Sequence, residues 1–208
     1  MSGGTALVIQ MKQRLSQPGH VVGLRGVTSL NSIESTPTGI KIGALCTQRQ
    51  VENSIAVVEG LPLLADTFRK VATPRIRNMA TIGGGLVNGD PNQDPPPSLI
   101  ALGASAVITS KSGERTVPVE ELFIDYYETD VQPGEVLTSV LVPKAPVGSG
   151  SAYLKFLPRT ADDYGTVSVA SIVSKEQDDT CKDVRIVLGS AGVTPIRATN
   201  AEGSLRGK

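Results

Sequence analysis

The chain has 208 residues, with 20 basic and 20 acidic side chains and one histidine, so its formal net charge at neutral pH is zero. That balance gives a nucleic acid or an anionic membrane no electrostatic reason to bind, and no apolar run approaches the ~20 residues that span a bilayer. Two distant cysteines and a lone histidine offer no metal-ligand spacing and no Ser-His-Asp triad unless His20 itself takes part.

From the N-terminus, Gly3-Gly4-Thr5 opens onto ALVIQMKQRL, where Leu7, Val8, Met11 and Leu15 recur at helical spacing. HVVGL, at 20–24, reads as a short strand. SIESTPTGIKIGAL reads as a hairpin turning at TPTG. Thr47 is placed to cap a short helix beginning QRQVENS. LPLLADTFRKVA is amphipathic and predicts a helix ending near Thr73-Pro74. The run ATI, at 80–82, predicts the end of a strand that turns on Gly83-Gly84-Gly85. Three prolines then start a short helix over SLIALGA, and SAVITSKSGERTVPV predicts strand, turn and strand. EELF is a helical turn and EVLTSVLVP alternates as a further strand. KAPVGSGS, at 144–151, has linker composition and divides the chain into domains at 1–147 and 148–208. Beyond it, AYLKFLPR, TVSVASIVS and DVRIVLGSAG predict three consecutive antiparallel strands, and NAEGSLRGK the first turns of a helix. Hairpins with intervening helices predict an α+β fold in two lobes, not a doubly wound parallel sheet. Both cysteines read as buried thiols, and the protein as soluble and cytoplasmic.

Consecutive glycines let several backbone N–H groups converge on one anion. Gly3-Gly4-Thr5 stands before a helix, whose N-terminus favours negative charge. Gly83-Gly84-Gly85 follows Thr81. Two such nests, each with a threonine hydroxyl, suit a pyrophosphate held between them, although either run alone also reads as a tight turn. Neither spells the G-x-G-x-x-G of a Rossmann fold. Asp90 and Asp94 read either as solvated or capping carboxylates or as acceptors for ligand hydroxyls or ring N–H groups, because a phosphate would repel them. Arg75 and Arg77 read as structural.

The run TPRIRNMATIGGGLVNGDPNQDPPPSLIALGASAVITSKSGERTVPVEELFIDYYETDVQPGEVLTSVLVP resembles the FAD-binding subunit of molybdenum hydroxylases, the family of xanthine dehydrogenase and aerobic carbon monoxide dehydrogenase. The order of pieces is similar too: a Gly-Gly-Thr opening, R-N-x-A-T-I-G-G, D-x-x-P, G-E-x-L, and later LKFLPRTADDYG. The resemblance implies an α+β FAD-binding domain of the vanillyl-alcohol-oxidase/molybdopterin-dehydrogenase type, followed by a mainly antiparallel lobe. It implies FAD as cofactor, with the pyrophosphate held by Gly3, Gly4, Thr5, Ala6 and Leu7 and by Thr81, Gly83, Gly84 and Gly85. Asp94 matches an FAD-contacting aspartate, Leu137 and Lys155 match positions near the isoalloxazine, and Tyr164 a residue lying over it. The family's second loop usually ends T-I-G-G-N, so Gly85 removes a side-chain amide.

The implied function is electron transfer within a heterotrimer. Electrons pass from a [2Fe–2S] small subunit, downstream of a molybdopterin large subunit, through FAD to NAD⁺, oxygen or a quinone. Two scattered cysteines cannot ligate such clusters in this chain. No residue is assigned as catalytic and none as a metal ligand. Family members carry a small βαβ unit before the Gly-Gly-Thr opening and continue past the last helix, so the chain reads as a fragment. Two alternatives stay open: a flavin-free scaffold that keeps only the partner surface, and a stand-alone FAD oxidase.

Overall fold

The computed structural model describes residues 1–157, 159–160 and 162–208. Pro158, inside the strand predicted at 152–159, and Ala161, inside LKFLPRTADDYG, lie outside the described residues. The first turn leads into α1 (Leu7–Lys12), whose side chains remain outside the core. The segment at 20–24 is not a strand. Its backbone bonds to Met1, whose ammonium donates to Val22 O and whose carbonyl accepts from Leu24 N–H, and the Leu24 carbonyl accepts from Val27 N–H in a local turn. A strand needs a neighbour along its length, and Val22 is left exposed.

β1 (Ile33–Thr36) and β2 (Gly39–Gly43) form the expected hairpin, with Thr36 opposite Gly39 at its closed end. β2 buries Ile40 and Ile42 and exposes Lys41 between them, the period-two pattern of a half-buried strand. Thr47 caps α2 (Gln48–Asn53) in a reciprocal capping box with Gln50. α3 (Ile55–Gly60) follows, and α4 (Pro62–Arg69) starts on proline and buries Leu63, Leu64, Thr67 and Phe68. α5 (Pro74–Arg77) ends on a buried arginine. Arg77 Nε donates to Glu52 Oε2 at 2.9 Å, and the guanidinium also caps the Val71 and Ala72 carbonyls, so its role is structural.

α6 (Ile82–Asn88) and α7 (Pro95–Ala101) come next, then β3 (Ser105–Ser110), β4 (Gly113–Pro118), α8 (Val119–Leu122), the small pair β5 (Phe123–Asp125) and β6 (Glu128–Thr129), and β7 (Val136–Pro143). β7 inserts between the two hairpins, giving an antiparallel sheet ordered β1-β2-β7-β3-β4. β8 (Gly150–Phe156), β9 (Val167–Lys175), β10 (Cys181–Gly189) and β11 (Ile196–Arg197) form a second antiparallel sheet, ordered β11-β10-β9-β8. α9 (Thr199–Leu205) packs on β10.

α7 joins the two halves. It lies against α4 on one side and β9 and β10 on the other, and the core is continuous from Ile42 and Val140 through Leu99 to Tyr153 and Val187. A buried Thr67–Ser98 hydroxyl pair at 2.6 Å fixes α4 against α7. Cys46 is buried, and burial pushes its thiol up to about 11. Cys181, expected to be buried, is only half-buried, because it starts β10 at the end of a hairpin. Among the described residues no helix is long and apolar enough to cross a membrane.

Candidate functional site

The glycine runs and both aspartates meet at one cavity of about 810 Å³. Ligand pockets span about 300–1,000 Å³. Its wall carries Gly3, Gly4, Thr5, Ala6 and Leu7 from the first turn, and Thr81, Gly83, Gly84 and Gly85 from α6 and its cap. Asp94 at the start of α7, Leu137 on β7, Lys155 on β8 and Tyr164 from the β8–β9 loop complete the residues singled out from the sequence.

Gly4 has φ +74°, where L side chains are strained, and so lets the chain reverse into α1. A Cβ on Gly3 would collide with the Met79 carbonyl. In this turn the N–H groups of Gly3, Gly4, Thr5, Ala6 and Leu7 donate to no acceptor among the described residues. Successive unpartnered amides at a cavity wall form a donor set for an anion.

The second run is built differently. Instead of a turn leaving a strand, it is the first turn of α6, with Thr81 Oγ1 accepting from the Gly84 N–H at 3.1 Å. Gly83 N–H donates to the Ala44 carbonyl at 3.0 Å and Gly85 N–H to the Thr81 carbonyl at 3.0 Å. These amides are occupied. What the glycines supply is closeness: a Cβ on Gly83 would lie 2.5 Å from Ala44 Cβ, and one on Gly84 would strike Ser2 Oγ. Bare backbone lets α6 abut the end of β2 and the first turn together.

At the start of α7, Asp94 is engaged at both oxygens. The Tyr153 hydroxyl donates to Oδ1 at 2.6 Å and Lys155 Nζ to Oδ2 at 2.9 Å. The Asp94 and Lys155 side chains are 5 % and 2 % exposed. Burial holds the Asp94 carboxyl above its ordinary value, while Tyr153 and Lys155 pull it the other way. Lys155 also donates to the Lys70 carbonyl. Asp90 forms a second node: it accepts from Asn92 N–H and from the Tyr164 hydroxyl at 3.0 Å. Burial, then the Asp90 charge, push the nearby Tyr127 phenol up to about 12.

Sequence reasoning missed Tyr153, Tyr127, Gln48 and Gln93. Tyr153 had a signal, because it stands two residues before Lys155 and so shares its face of a strand. Gln48 Oε1 and Gln93 Nε2 are buried without a partner among the described residues, and both residues line the cavity. Leaving such an atom unpaired costs about 1–3 kcal/mol, which a polar ligand offsets. No cluster of metal-ligating side chains occurs among the described residues.

Two family models match the chain: the FAD binding domain in molybdopterin dehydrogenase over residues 1–145, and the CO dehydrogenase flavoprotein C-terminal domain over residues 152–208. The chain is 37 % identical over 201 residues to the carbon monoxide dehydrogenase medium chain of Afipia carboxidovorans, covering 97 % of this chain and 69 % of the relative. It is 35 % identical over 205 residues to the 6-hydroxypseudooxynicotine dehydrogenase complex subunit alpha of Paenarthrobacter nicotinovorans, with 99 % and 69 % covered. It superposes on the carbon monoxide dehydrogenase of Hydrogenophaga pseudoflava with a TM-score of 0.96 at 35 % identity, covering 100 % of this chain and 72 % of that one.

FAD fits what these residues offer. The free amides of the first turn suit a pyrophosphate, the unpaired glutamine amides suit hydroxyls or imide groups, and Leu137 gives an apolar wall. FAD is the cofactor, and the chain is part of an oxidoreductase. The α+β domain followed by an antiparallel lobe, the FAD cavity and the matches over the whole length place the chain in the family of FAD-binding subunits of the molybdenum hydroxylases.

Proposed function

We propose that this chain holds the FAD that receives electrons from a [2Fe–2S] small subunit, itself served by a molybdopterin large subunit, and that it hands them to NAD⁺, oxygen or a quinone. The observation that carries the reading is the set of unpartnered amides from Gly3 to Leu7 on the wall of a cavity large enough for a dinucleotide. The names of the relatives, a medium chain and a complex subunit, support assembly with other chains. We place the complex in the cytoplasm. A division at 147/148 accords with a five-stranded sheet that ends on β7 and a four-stranded sheet that begins on β8.

When bound, FAD supplies the redox chemistry, exchanging electrons singly or in pairs. The residues of this chain bind and position it. The first-turn amides take the pyrophosphate, and the bare backbone of Gly83 and Gly84 keeps α6 close enough to brace that turn. Thr81 caps α6 through its oxygen and keeps its hydroxyl hydrogen available. Leu137 on β7 and Tyr164 in the β8–β9 loop, both on the cavity wall, would cover the ring end of bound FAD. Lys155 sets a positive charge there, and Asp94, 2.9 Å away, limits its reach.

The test mixes the FAD-loaded chain with a reduced iron–sulfur subunit under anaerobic conditions and follows flavin absorbance by stopped flow. Rapid bleaching, followed by recovery on adding an acceptor, is expected. A chain that takes up no FAD, or a flavin that stays oxidised beside reduced clusters, overturns the reading.

A further inference from the structure

Two glutamine amides on the cavity wall stand outside the hydrogen bonding of the described residues. Gln48, the first residue of α2, is 6 % exposed and its Oε1 is unpartnered, as is Nε2 of Gln93. Among the described residues neither side-chain amide makes any hydrogen bond. Gly85 brings them to one spot. A Cβ there would lie 3.2 Å from Gln93 Oε1 and 3.9 Å from Gln48 Nε2, so glycine keeps the space between them open to the cavity.

The placement of that spot is informative. Gly84, one residue earlier, abuts Ser2 of the first turn. Gln93 directly precedes Asp94, which is paired with Lys155. Through Gly84 and Asp94 the two amides have the first-turn amides and the buried ion pair as neighbours.

We propose that Gln48 and Gln93 hold the ribityl hydroxyls of FAD, an inference that rests on the FAD reading of this cavity. A hydroxyl both donates and accepts, and so does a primary amide. One hydroxyl can accept from Gln48 Nε2 while it donates to Gln93 Oε1, the two amide atoms that face the space at Gly85. A pyrophosphate only accepts, so it can use Nε2 but leaves Oε1 unpaired. The ribityl chain is also the part of FAD that lies between pyrophosphate and ring, which accords with amides that neighbour both the first turn and the Asp94–Lys155 pair. Gly85 serves the same end, because a side chain at that position would fill the space the polyol needs.

Gln48→Met and Gln93→Met keep the side-chain length and remove the amide. Their dissociation constants are measured by fluorescence quenching for FAD and for an FAD analogue lacking ribityl hydroxyls, and by calorimetry for ADP. Each variant is expected to weaken FAD about tenfold, equivalent to about 1.4 kcal/mol, to leave ADP unchanged, and to lose little against the deoxy analogue. Unchanged FAD affinity in both variants overturns the proposal. Equal losses for FAD and ADP also overturn it, because the amides then act on the nucleotide end, as do equal losses for FAD and the deoxy analogue. If the wild-type chain binds neither FAD nor ADP, the reading of the cavity itself fails. Should Gln48→Met unfold α2, Gln93→Met decides alone, because Gln93 lies in the loop before α7.

Discussion

Replacing Gly83 by alanine probes how the site is braced. In the first turn of α6, alanine in place of glycine gains at most about 1 kcal/mol of helix propensity. Against that, the new Cβ would lie 2.5 Å from Ala44 Cβ and 2.9 Å from the Ala44 carbonyl oxygen. Carbon atoms settle at about 3.5–4.0 Å, so one side must yield by about 1 Å. Neither side is a flexible tip. Ala44 N–H is bonded to the Thr138 carbonyl at 2.9 Å, and the Ala44 carbonyl accepts from Gly83 N–H at 3.0 Å. Overpacking of this kind costs about 1–3 kcal/mol, and with backbone on both sides the upper end applies. The net loss is about 2 kcal/mol, which lowers the melting temperature by about 4–8 °C in a domain of this size.

Urea unfolding at unchanged m-value measures the loss, and FAD quenching measures its effect on the site. A displaced α6 disturbs its contact with Ser2, so FAD affinity is expected to fall about tenfold, the worth of one charge-assisted hydrogen bond. Gly203→Ala in α9 is the control: its Cβ meets nothing, and it should gain up to about 1 kcal/mol. Ala44→Gly in the Gly83→Ala background removes the closest contact and should restore more than half of the stability. If Gly83→Ala is as stable as Gly203→Ala, or Ala44→Gly restores nothing, close approach to β2 is not the reason for glycine at this position.

Asp94→Asn leaves the Lys155 ammonium, 2 % exposed, without its counter-charge, and should cost about 3–5 kcal/mol in urea unfolding; a loss below about 1 kcal/mol would mean the pair is solvated. Thr47→Ala removes the side-chain half of the α2 capping box, leaves the residue-47 N–H donating to Gln50 Oε1, and should cost about 1 kcal/mol by the same measurement, with Thr47→Ser recovering most of it. Tyr127, raised from 10.0 to about 12 by burial and then by Asp90, contributes stability that is fully present below pH 10 and is lost as pH rises through about 12. Ultraviolet titration should show its ionisation moving down in Asp90→Asn, and an unchanged titration would remove Asp90 as a cause.

Most of the fold was legible because its signals are local. The β1–β2 hairpin, the capped α2, the proline-started α4 and α7, and the three long strands of the second sheet each declare themselves by spacing, cap or turn residues. The strand expected at 20–24 did not form, because alternation cannot show whether a neighbour exists to accept its hydrogen bonds. Cys181 was misjudged for a similar reason, since a residue's hydrophobicity does not locate it beside the turn of a hairpin.

The two glycine runs show where local reading ends. Both are glycine-rich and each has a threonine beside it, so composition assigns them one task. In the first, φ +74° at Gly4 turns the chain so that five amides find no acceptor among the described residues. In the second, none of the three glycines has a positive φ; Thr81 and Ala44 satisfy the Gly83–Gly85 amides, and what matters is the missing Cβ. That distinction depends on Ala44 and Ser2, residues about 40 and 80 positions away along the chain. The same holds for Gln48 and Gln93, which are ordinary polar residues until Gly85 brings their amides together at the cavity. A free donor and a close approach both call for glycine, and only the packing partners separate them.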